Sequence, residues 1–381
     1  MPEMRDDRSS PGRSTLFSDE LPELRDQDGQ KITTGILYYG YVGRELERAR
    51  RDIQMQKATE ITAAKYVFGP VPSRRLGRSL GIDLVPLKTC TYNCIYCQLG
   101  ITTHQTIERR PYSPGKLVIE QLQEKFSSLS SAPDYITLSG SGEPTLNSQI
   151  GWVIEQVKRM TSVPLAVLTN GSLLHLESVR KALLPADLVI PSLDAASPVF
   201  FRSINRPHPS LRLSQVLRGL QEFRKEYPGQ IWLEVMLCGG FNDDPKEIQM
   251  LREEIDKIGP ERIQLNTVVR PPAEDFACPL SLESMGRIGR IFGNRAEILP
   301  GESPARTVKF HGQIDGEVLS LLSRRPCSLE DLCQAFGASG EKVGNCLREL
   351  TRKGALRYDI HNHTVFYRAK KVEEKNLIVA R

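Results

Sequence analysis

Three cysteines are the residues whose type and spacing point most directly to chemistry. Cys90, Cys94 and Cys97 lie within eight residues, in the pattern Cys-x3-Cys-x2-Cys. Thiolates this close in the chain can bind one soft metal ion or one iron–sulfur cluster. A structural zinc site needs four closed ligands, so zinc completed by a remote Cys or His is one alternative. A [4Fe–4S] cluster on three cysteines instead leaves one iron open to an exogenous ligand, as a catalyst requires.

The composition indicates a folded protein in a reducing compartment. The chain has 381 residues, of which 39% are hydrophobic and 25% charged, so it can bury a large core. It contains no run of about 18 apolar residues that could span a membrane, and the first twenty residues lack the apolar stretch of a secretory signal. We therefore expect a cytoplasmic protein without disulfides. A net charge of +5 permits an anionic partner without requiring one.

Short apolar runs alternate with amphipathic helical patterns from residue 66 onward. We predict strands at 81–85, 135–138, 165–168, 187–193, 231–237 and 263–267. Helical periodicity between them predicts helices over 117–126, 147–160, 175–184, 212–226 and 245–258. Such repeats indicate an α/β fold with a parallel sheet, either doubly wound or a partial barrel. In both folds, active sites gather at the C-terminal ends of the strands.

The cysteine pattern, with Tyr96 directly before the last cysteine, resembles the signature of the radical S-adenosylmethionine (radical SAM) superfamily. The resemblance implies a (β/α)6 partial TIM barrel and a [4Fe–4S] cluster on the three cysteines, with SAM bound to the open iron. Reduction of the cluster then cleaves SAM to methionine and a 5′-deoxyadenosyl radical, which abstracts hydrogen from a substrate. A low-potential electron donor of the ferredoxin or flavodoxin type is implied as a partner.

Two predicted strand ends agree with this resemblance near the methionine part of SAM. Gly142 and Glu143 stand in Ser-Gly-Glu, where the superfamily carries Gly-Gly-Glu to receive the amino group of methionine. A carboxylate suits an ammonium group, and glycine lets a backbone approach a ligand. Asn170 lies in a Thr-Asn-Gly sequence similar to that of several radical SAM families. The alternative for Gly142-Glu143 is a plain βα turn.

Two further strand ends agree near the adenosine part. Ser192 and Asp194 lie in a Ser-Leu-Asp sequence similar to that of radical SAM families, and both side chains suit ribose hydroxyls. An aspartate in this position can instead be a helix N-cap. Val268 follows the sixth predicted strand, where the family contacts adenine. With Tyr96, these are the residues that the resemblance assigns to cofactor binding.

A closer resemblance concerns residues 68–83, 97–100 and 138–145. These segments are similar to an uncharacterised radical SAM family commonly placed beside the wyosine-base (tRNA) synthases. That family has no established substrate to transfer, and a tRNA base is the leading hypothesis. The alternatives are radical activation of a protein partner and chemistry on a small metabolite. A non-enzymatic alternative is a nucleic-acid-binding regulator with a structural cluster or zinc.

The pattern changes at about residue 310, where three short helices and two strands predict a winged helix-turn-helix domain. Lys342, Asn345, Arg348 and Arg352 recur near one face of the third helix. Basic and amide side chains on a recognition helix suit contacts to RNA or DNA, and the alternative is a solvated helix face. The predicted organisation is a largely disordered extension over 1–64, a barrel over 65–305, this domain over 310–370 and a tail over 371–381.

Several residues near the predicted site have two interpretations. Arg74, Arg75 and Arg78 could bind a phosphate or carboxylate bidentately, or could form a solvated basic loop. Lys88 is expected to be solvated, and the alternatives are an imine or a pair with a cofactor carboxylate. The remaining cysteines, including Cys238 and Cys278, are expected to be small buried thiols, with hydrogen-atom donation to a substrate radical as the alternative for those two.

Overall fold

The structure is a computed structural model that describes residues 65–300 and 314–370. The predicted N-terminal extension over 1–64 and the tail over 371–381 lie outside the described residues. Within the described ranges, no helix combines the length and the apolar character needed to cross a membrane.

A mostly parallel sheet forms the centre of the fold, with eight strands in the described part of the chain. The strands before residue 300 are β1 Val67–Ser73, β2 Gly77–Ile82, β3 Thr89–Cys90, β4 His104–Gln105, β5 Tyr135–Leu138, β6 Leu165–Thr169, β7 Leu188–Pro191, β8 Gln230–Leu237, β9 Arg262–Thr267 and β10 Ala296–Ile298. In the sheet, β1 runs antiparallel to β2, and each later neighbour pairs in parallel, in the order β1-β2-β5-β6-β7-β8-β9-β10. The two short strands β3 and β4 pair separately, around the cysteine loop.

Helices connect the successive parallel strands, because a parallel neighbour can only be reached by a crossover. They are α1 Gly115–Ser127, α2 Ile150–Met160, α3 Glu177–Leu183, α4 Leu213–Glu226, α5 Pro245–Ile258 and α6 Leu282–Phe292. A short helical segment, Pro198–Phe200 continued by Phe201–Asn205, precedes α4. In α2 the buried residues Ile150, Val153, Ile154 and Val157 follow the spacing i, i+3, i+4, i+7, so one apolar stripe packs on the sheet.

The predicted parallel α/β sheet is confirmed, with six strands and five helices close to their expected positions. β1, β10 and α6 were not predicted. β1 contains Gly69, Pro70 and Pro72, which disfavour a strand interior. The structure accommodates them because β1 is an edge strand whose register shifts between Phe68 and Val71. The first predicted strand, 81–85, corresponds to β2, which begins and ends earlier, at 77–82. The start of β2 is Gly-Arg-Ser, which lacks the apolar run on which the prediction depended.

The C-terminal residues form three helices and a hairpin: α7 Ile314–Leu322, α8 Leu329–Phe336, α9 Gly340–Arg352, β11 Leu356–His361 and β12 Thr364–Ala369. Ser328 and Asp331 form a capping box at the start of α8, and Gly337 ends that helix in the left-handed conformation. The hairpin turns at Asn362 and His363, both with positive φ, as its two-residue turn requires. Cys327 and Cys346 are buried in the core of this unit, as predicted.

The C-terminal unit packs on the β1 edge of the sheet. Val71 of β1 belongs to the same buried cluster as the apolar residues of α7, α8 and α9. Arg324 lies after α7; its Nε donates to Asp83 Oδ2 at 2.6 Å, and its guanidinium stacks on the Phe68 ring. Arg368 of β12 donates to the backbone carbonyl of Gln98, just after the third cysteine of the motif. This unit therefore contacts both the sheet and the cysteine loop.

The Asp83–Arg324 ion pair is buried, with side-chain exposures of 8% and 11% respectively. Arg324→Met leaves the Asp83 carboxylate buried without its cation, so we expect the free energy of unfolding to fall by about 3 kcal/mol in urea denaturation. Adding Asp83→Asn removes the stranded charge and restores most of the loss. The control Arg159→Met removes an exposed helical pair with Glu155 and changes stability by less than about 0.5 kcal/mol. If Arg324→Met lowered the free energy of unfolding as little as Arg159→Met does, the buried ion pair would not stabilise the fold.

Candidate iron–sulfur site

The three motif cysteines lie in the loop after β2, and all three line one cavity of about 380 Å³. Each sulfur lies near an N–H donor. Lys88 Nζ is 3.2 Å from Cys97 Sγ, and the amide nitrogens of Asn170 and Asn205 are 3.6 Å from the sulfurs of Cys90 and Cys94. Such donors stabilise negative charge on sulfur, which is what thiolate ligands of iron carry.

Two thiols of the site, those of Cys90 and Cys94, have raised pKa values. Burial raises the pKa of Cys90 to about 12 and holds the pKa of Cys94 well above its usual range. Binding of iron must therefore displace their protons. Within 65–300 and 314–370, no three His, Cys, Asp or Glu side chains are grouped closely enough to hold a single metal ion.

The segment before the cysteines pairs closely with the Ser-Gly-Glu segment after β5. Lys88 N donates to Ser141 O at 2.7 Å, and Glu143 N donates to Thr89 O at 3.1 Å. Between these bonds, a Cβ on Gly142 would lie 1.9 Å from Thr89 O. Only glycine permits this approach, so Gly142 sets the position of the residue that precedes Cys90.

The Glu143 carboxylate joins the ends of β5 and β6. Oε1 accepts from Thr145 N, Thr145 Oγ1 and Thr169 Oγ1, at 3.1, 2.6 and 2.6 Å, and Oε2 accepts from Asn170 N at 2.7 Å. Glu143 is only 2% exposed, and its burial raises its pKa. Four donors use most of the accepting capacity of a carboxylate. Oε2 accepts only one of them, so it can still accept a further hydrogen bond.

Asn170 carries this connection to the cysteine loop. Its Nδ2 donates to Thr91 Oγ1 at 2.7 Å in addition to approaching Cys90, and its Oδ1 accepts from Ser172 N. Thr91 is fully buried and also contacts Ser172 Oγ at 2.8 Å. The Thr-Asn-Gly sequence thus holds the first two residues of the motif in place.

Asp194 connects the other end of the cysteine loop to the sheet. Its Oδ2 accepts from Tyr96 OH and, at 2.7 Å, from Asn205 Nδ2, and its Oδ1 accepts from Met236 N at 2.9 Å. Burial raises its pKa to about 6. Asp194 is 3% exposed and is not part of the cavity wall. Its assignment to ribose stays a prediction that this geometry does not favour.

The other predicted cofactor residues all face the cavity. Tyr96, Gly142, Glu143, Asn170, Ser192 and Val268 line the same cavity as the three cysteines. They come from the cysteine loop and from the segments that follow four parallel strands, which agrees with the rule that sites form at the C-terminal ends of strands.

Sequence reasoning missed several residues that organise the site. Thr91 had no motif to mark it. The position of Asn205 after the fourth predicted strand places it on the catalytic side but does not indicate its contact with Cys94. Glu234, within the fifth predicted strand, pairs with Arg75 at 2.7 Å. Burial opposes ionisation of Glu234, but Arg75, Asn266 and Arg74 together outweigh burial and hold the pKa of Glu234 below its ordinary value.

Three expectations about single residues are corrected. Lys88, expected to be solvated, is 2% exposed, because Lys88 closes on Ser141 and Cys97 inside the loop. Cys278, expected to be buried, is exposed. Arg78 does not join Arg74 and Arg75 on the cavity wall, since its side chain donates to Ser131 at the surface.

Gly142→Ala tests the close approach to Thr89. The added methyl must displace the Thr89 carbonyl, so we expect a loss of stability of about 1–3 kcal/mol and a lower iron content per chain after reconstitution. The control Gly286→Ala adds a methyl in α6 with no atom within 4 Å; it should stabilise the helix by about 0.5–1 kcal/mol and leave the iron content unchanged. Equal iron contents in the two variants would contradict the role assigned to Gly142.

Comparison with solved structures gives distant similarities. A structure of TYW1 with a bound lysine–pyruvate adduct is 18% identical, with a TM-score of 0.43 over 60% of this chain and 76% of that chain. Native anSMEcpe with bound AdoMet is 17% identical, with a TM-score of 0.42 over 58% of this chain and 64% of that chain.

Comparison with curated sequences is more specific. A GTPase Obg of Brachyspira hyodysenteriae is 35% identical over 83% of this chain, which spans about half (47%) of that relative. A UPF0026 protein of Methanocaldococcus jannaschii is 33% identical, over 78% of this chain and 89% of that protein. A UPF0026 protein of Synechocystis is 36% identical, over 69% of this chain and 93% of that protein. Residues 84–267 match the Radical SAM superfamily. The chain therefore belongs to the UPF0026 family and is a radical SAM iron–sulfur enzyme, a class that uses a [4Fe–4S] cluster and SAM.

Proposed function

We propose that Cys90, Cys94 and Cys97 hold the [4Fe–4S] cluster and that the cavity beside them receives SAM and the substrate. The observation that carries this proposal is the set of three sulfurs, each with its own N–H donor, on the wall of one cavity. With electrons from a low-potential ferredoxin or flavodoxin type of donor, the cluster and SAM supply a 5′-deoxyadenosyl radical that abstracts hydrogen from the substrate.

The chain's own residues would orient SAM in two regions of the cavity. Near the methionine part, the Gly142 backbone and the remaining accepting direction of Glu143 Oε2 suit the ammonium group, and Asn170 fixes their distance from Cys90. Near the adenosine part, Ser192 offers a hydroxyl and Val268 an apolar surface. Tyr96 is held by Asp194, so the aspartate acts as a positioning residue.

The fold supports a division of the described chain into two functional units. We assign the parallel sheet and its helices to a partial barrel over 65–305 and the C-terminal helices and hairpin to a winged helix-turn-helix over 310–370. The observations that support this are the order of parallel strands and the sequence of three short helices followed by an antiparallel hairpin.

A tRNA base is the substrate that we propose, with nucleic acid bound through α9. Lys342, Asn345, Arg348 and Arg352 are all exposed on this helix. An unpaired or splayed base can enter a cavity, whereas the neighbouring backbone needs a basic surface outside it. Activation of a protein partner is the alternative, since an exposed helix can also dock a protein.

Cys94→Ala tests the cluster assignment. We expect the anaerobically reconstituted variant to lose the visible absorbance of the cluster and to form no 5′-deoxyadenosine from SAM and dithionite, because three-cysteine ligation is incomplete. The control Cys278→Ala removes an exposed cysteine elsewhere and keeps both signals. In the wild-type protein, SAM should change the EPR spectrum of the reduced cluster. A cluster that does not respond to SAM would favour a structural role.

Removal of the basic side chains of α9 tests the RNA proposal. In Lys342→Gln/Arg348→Gln/Arg352→Gln, we expect tRNA binding to weaken at least tenfold and the slope of log K against log salt to fall by about 2, since each lost phosphate contact removes about 0.7. The matched control Lys116→Gln/Arg159→Gln/Arg252→Gln removes three exposed charges from barrel helices. If both variants bind tRNA alike, α9 is not the nucleic-acid surface.

A further inference from the structure

Basic side chains dominate the charged part of the cavity wall. They are Arg74, Arg75, Lys88, Arg270, Arg324 and Arg325. The acidic residues on the wall are Glu143 and Glu234. Since Glu143 already binds four donors of the protein, the wall carries an excess of positive charge.

Three of these arginines have a carboxylate partner. Arg75 pairs with Glu234 at 2.7 Å, Arg324 with Asp83 at 2.6 Å and Arg270 with Asp331 of α8 at 3.1 Å. The last two pairs join the sheet and its loops to the C-terminal unit. These two ion pairs therefore hold the C-terminal unit on the sheet and also neutralise the charges of Arg324 and Arg270.

Arg74 and Arg325 have no carboxylate at ion-pair distance among the residues that the structure describes. Arg74 Nη1 donates to Asn266 Oδ1 at 3.0 Å and to the Pro300 carbonyl at 3.3 Å. Arg325 Nη2 donates to the Pro72 carbonyl at 3.5 Å. Neutral acceptors satisfy some N–H groups of both arginines without cancelling their charge. Glu234 also attracts Arg74 but already pairs with Arg75, so the charge of Arg74 is compensated only in part.

Two buried guanidinium nitrogens in this cluster also lack an acceptor. The Nε atoms of Arg270 and Arg325 are buried and make no hydrogen bond within the described residues. Arg270 is only 8% exposed, so its Nε–H cannot turn to bulk solvent. Buried donors without an acceptor are costly and rare in native proteins, so these two guanidinium groups are incompletely satisfied by the protein itself.

The arginines are close enough to affect one another. Burial and repulsion from Arg270 and Arg75 lower the pKa of Arg74 to about 9. Burial and repulsion from Arg325 also lower the pKa of Arg270. The folded protein therefore holds guanidinium groups together against their mutual repulsion, and an anion between them would reverse this cost.

We propose that Arg74, Arg270 and Arg325 bind a phosphate group of the substrate. A phosphate monoester carries a charge of about −1.5 to −2 at neutral pH, and a backbone phosphodiester carries about −1. Either would place negative charge beside Arg74 and Arg325, the two guanidinium groups that have no ion-pair partner among the described residues. Its oxygens accept paired N–H bonds from planar guanidinium groups. The inference rests on the proposed function, because it assigns this phosphate to the substrate of the same cavity.

The three arginines come from segments other than those assigned to SAM. Arg74 lies in the turn between β1 and β2, Arg270 follows β9, and Arg325 lies between α7 and α8. The methionine part of SAM is assigned to the segments after β5 and β6. A phosphate would therefore join the sheet to the C-terminal unit, on a wall that the SAM assignment leaves free.

Equilibrium dialysis of the cluster-loaded, full-length protein against labelled inorganic phosphate tests this site. In chloride buffers of constant ionic strength, we expect saturable binding of one phosphate per chain. Arg74→Gln/Arg325→Gln should weaken it at least about tenfold, because two charge-assisted contacts are lost. Arg325→Lys keeps the charge without the planar fork and should be intermediate. The control Arg295→Gln removes a half-buried arginine that pairs with Asp256 and keeps wild-type phosphate binding.

The wild-type protein alone can overturn the inference, so the test does not depend on the variants folding. Absence of saturable phosphate binding would exclude the site. A loss of SAM affinity in the double variant equal to its loss of phosphate affinity would assign the arginines to the SAM carboxylate instead. Wild-type protein that cleaves SAM but binds no phosphate contradicts only this inference. Protein that binds phosphate but yields no 5′-deoxyadenosine contradicts only the proposed function.

Competition then identifies the source of the phosphate. Displacement of labelled phosphate by ribose 5-phosphate supports a small phosphorylated substrate. Displacement by a short single-stranded RNA, but not by ribose 5-phosphate, supports a phosphate of an RNA backbone. If neither displaces phosphate while acetate does, the arginines recognise carboxylates and the inference is wrong.

Discussion

The buried carboxylate of Glu143 is the interaction on which the rest of the site depends. It sits where β5 ends, and its four donors come from its own turn and from the end of β6. Through Asn170, the same hydrogen-bond chain reaches Thr91 and Cys90. Because a buried carboxylate is tolerable only when its acceptors are used, this network fixes the strand ends, and the strand ends fix the loop that carries the sulfurs.

The C-terminal unit extends the same network. Arg324 binds Asp83 Oδ2, while Asp83 Oδ1 accepts from Ser141 N, one residue before Gly142. A Cβ on Gly140 would lie 2.0 Å from that carboxylate, so the segment approaches Asp83 as closely as backbone can. A ligand that displaced the C-terminal unit would therefore act on the Ser-Gly-Glu segment through one ion pair. This gives the appended unit a physical route to the site, whichever macromolecule it binds.

The sequence was sufficient to predict the parallel sheet and the residues that face the cavity, because strand periodicity and strand-end motifs are local signals. Gly142 and Asn170 could be found in this way. Asn205 and Asp83 could not, since their roles depend on partners that only the folded chain brings near. Asp194 differs from these residues because its motif could be recognised in the sequence. The direction of its side chain could not be predicted, since it depends on contacts with Tyr96 and with Met236 of β8.

The charge of the cavity constrains the substrate further than the motifs do. Arg75 pairs with the carboxylate of Glu234, whereas Arg74 donates to the neutral oxygens of Asn266 and Pro300. Neutral acceptors orient a guanidinium without cancelling its charge. Such a group is ready for an anion that arrives from outside and leaves after reaction, whereas a permanent carboxylate would compete with that anion. The arrangement therefore favours an anionic substrate over a neutral or cationic one.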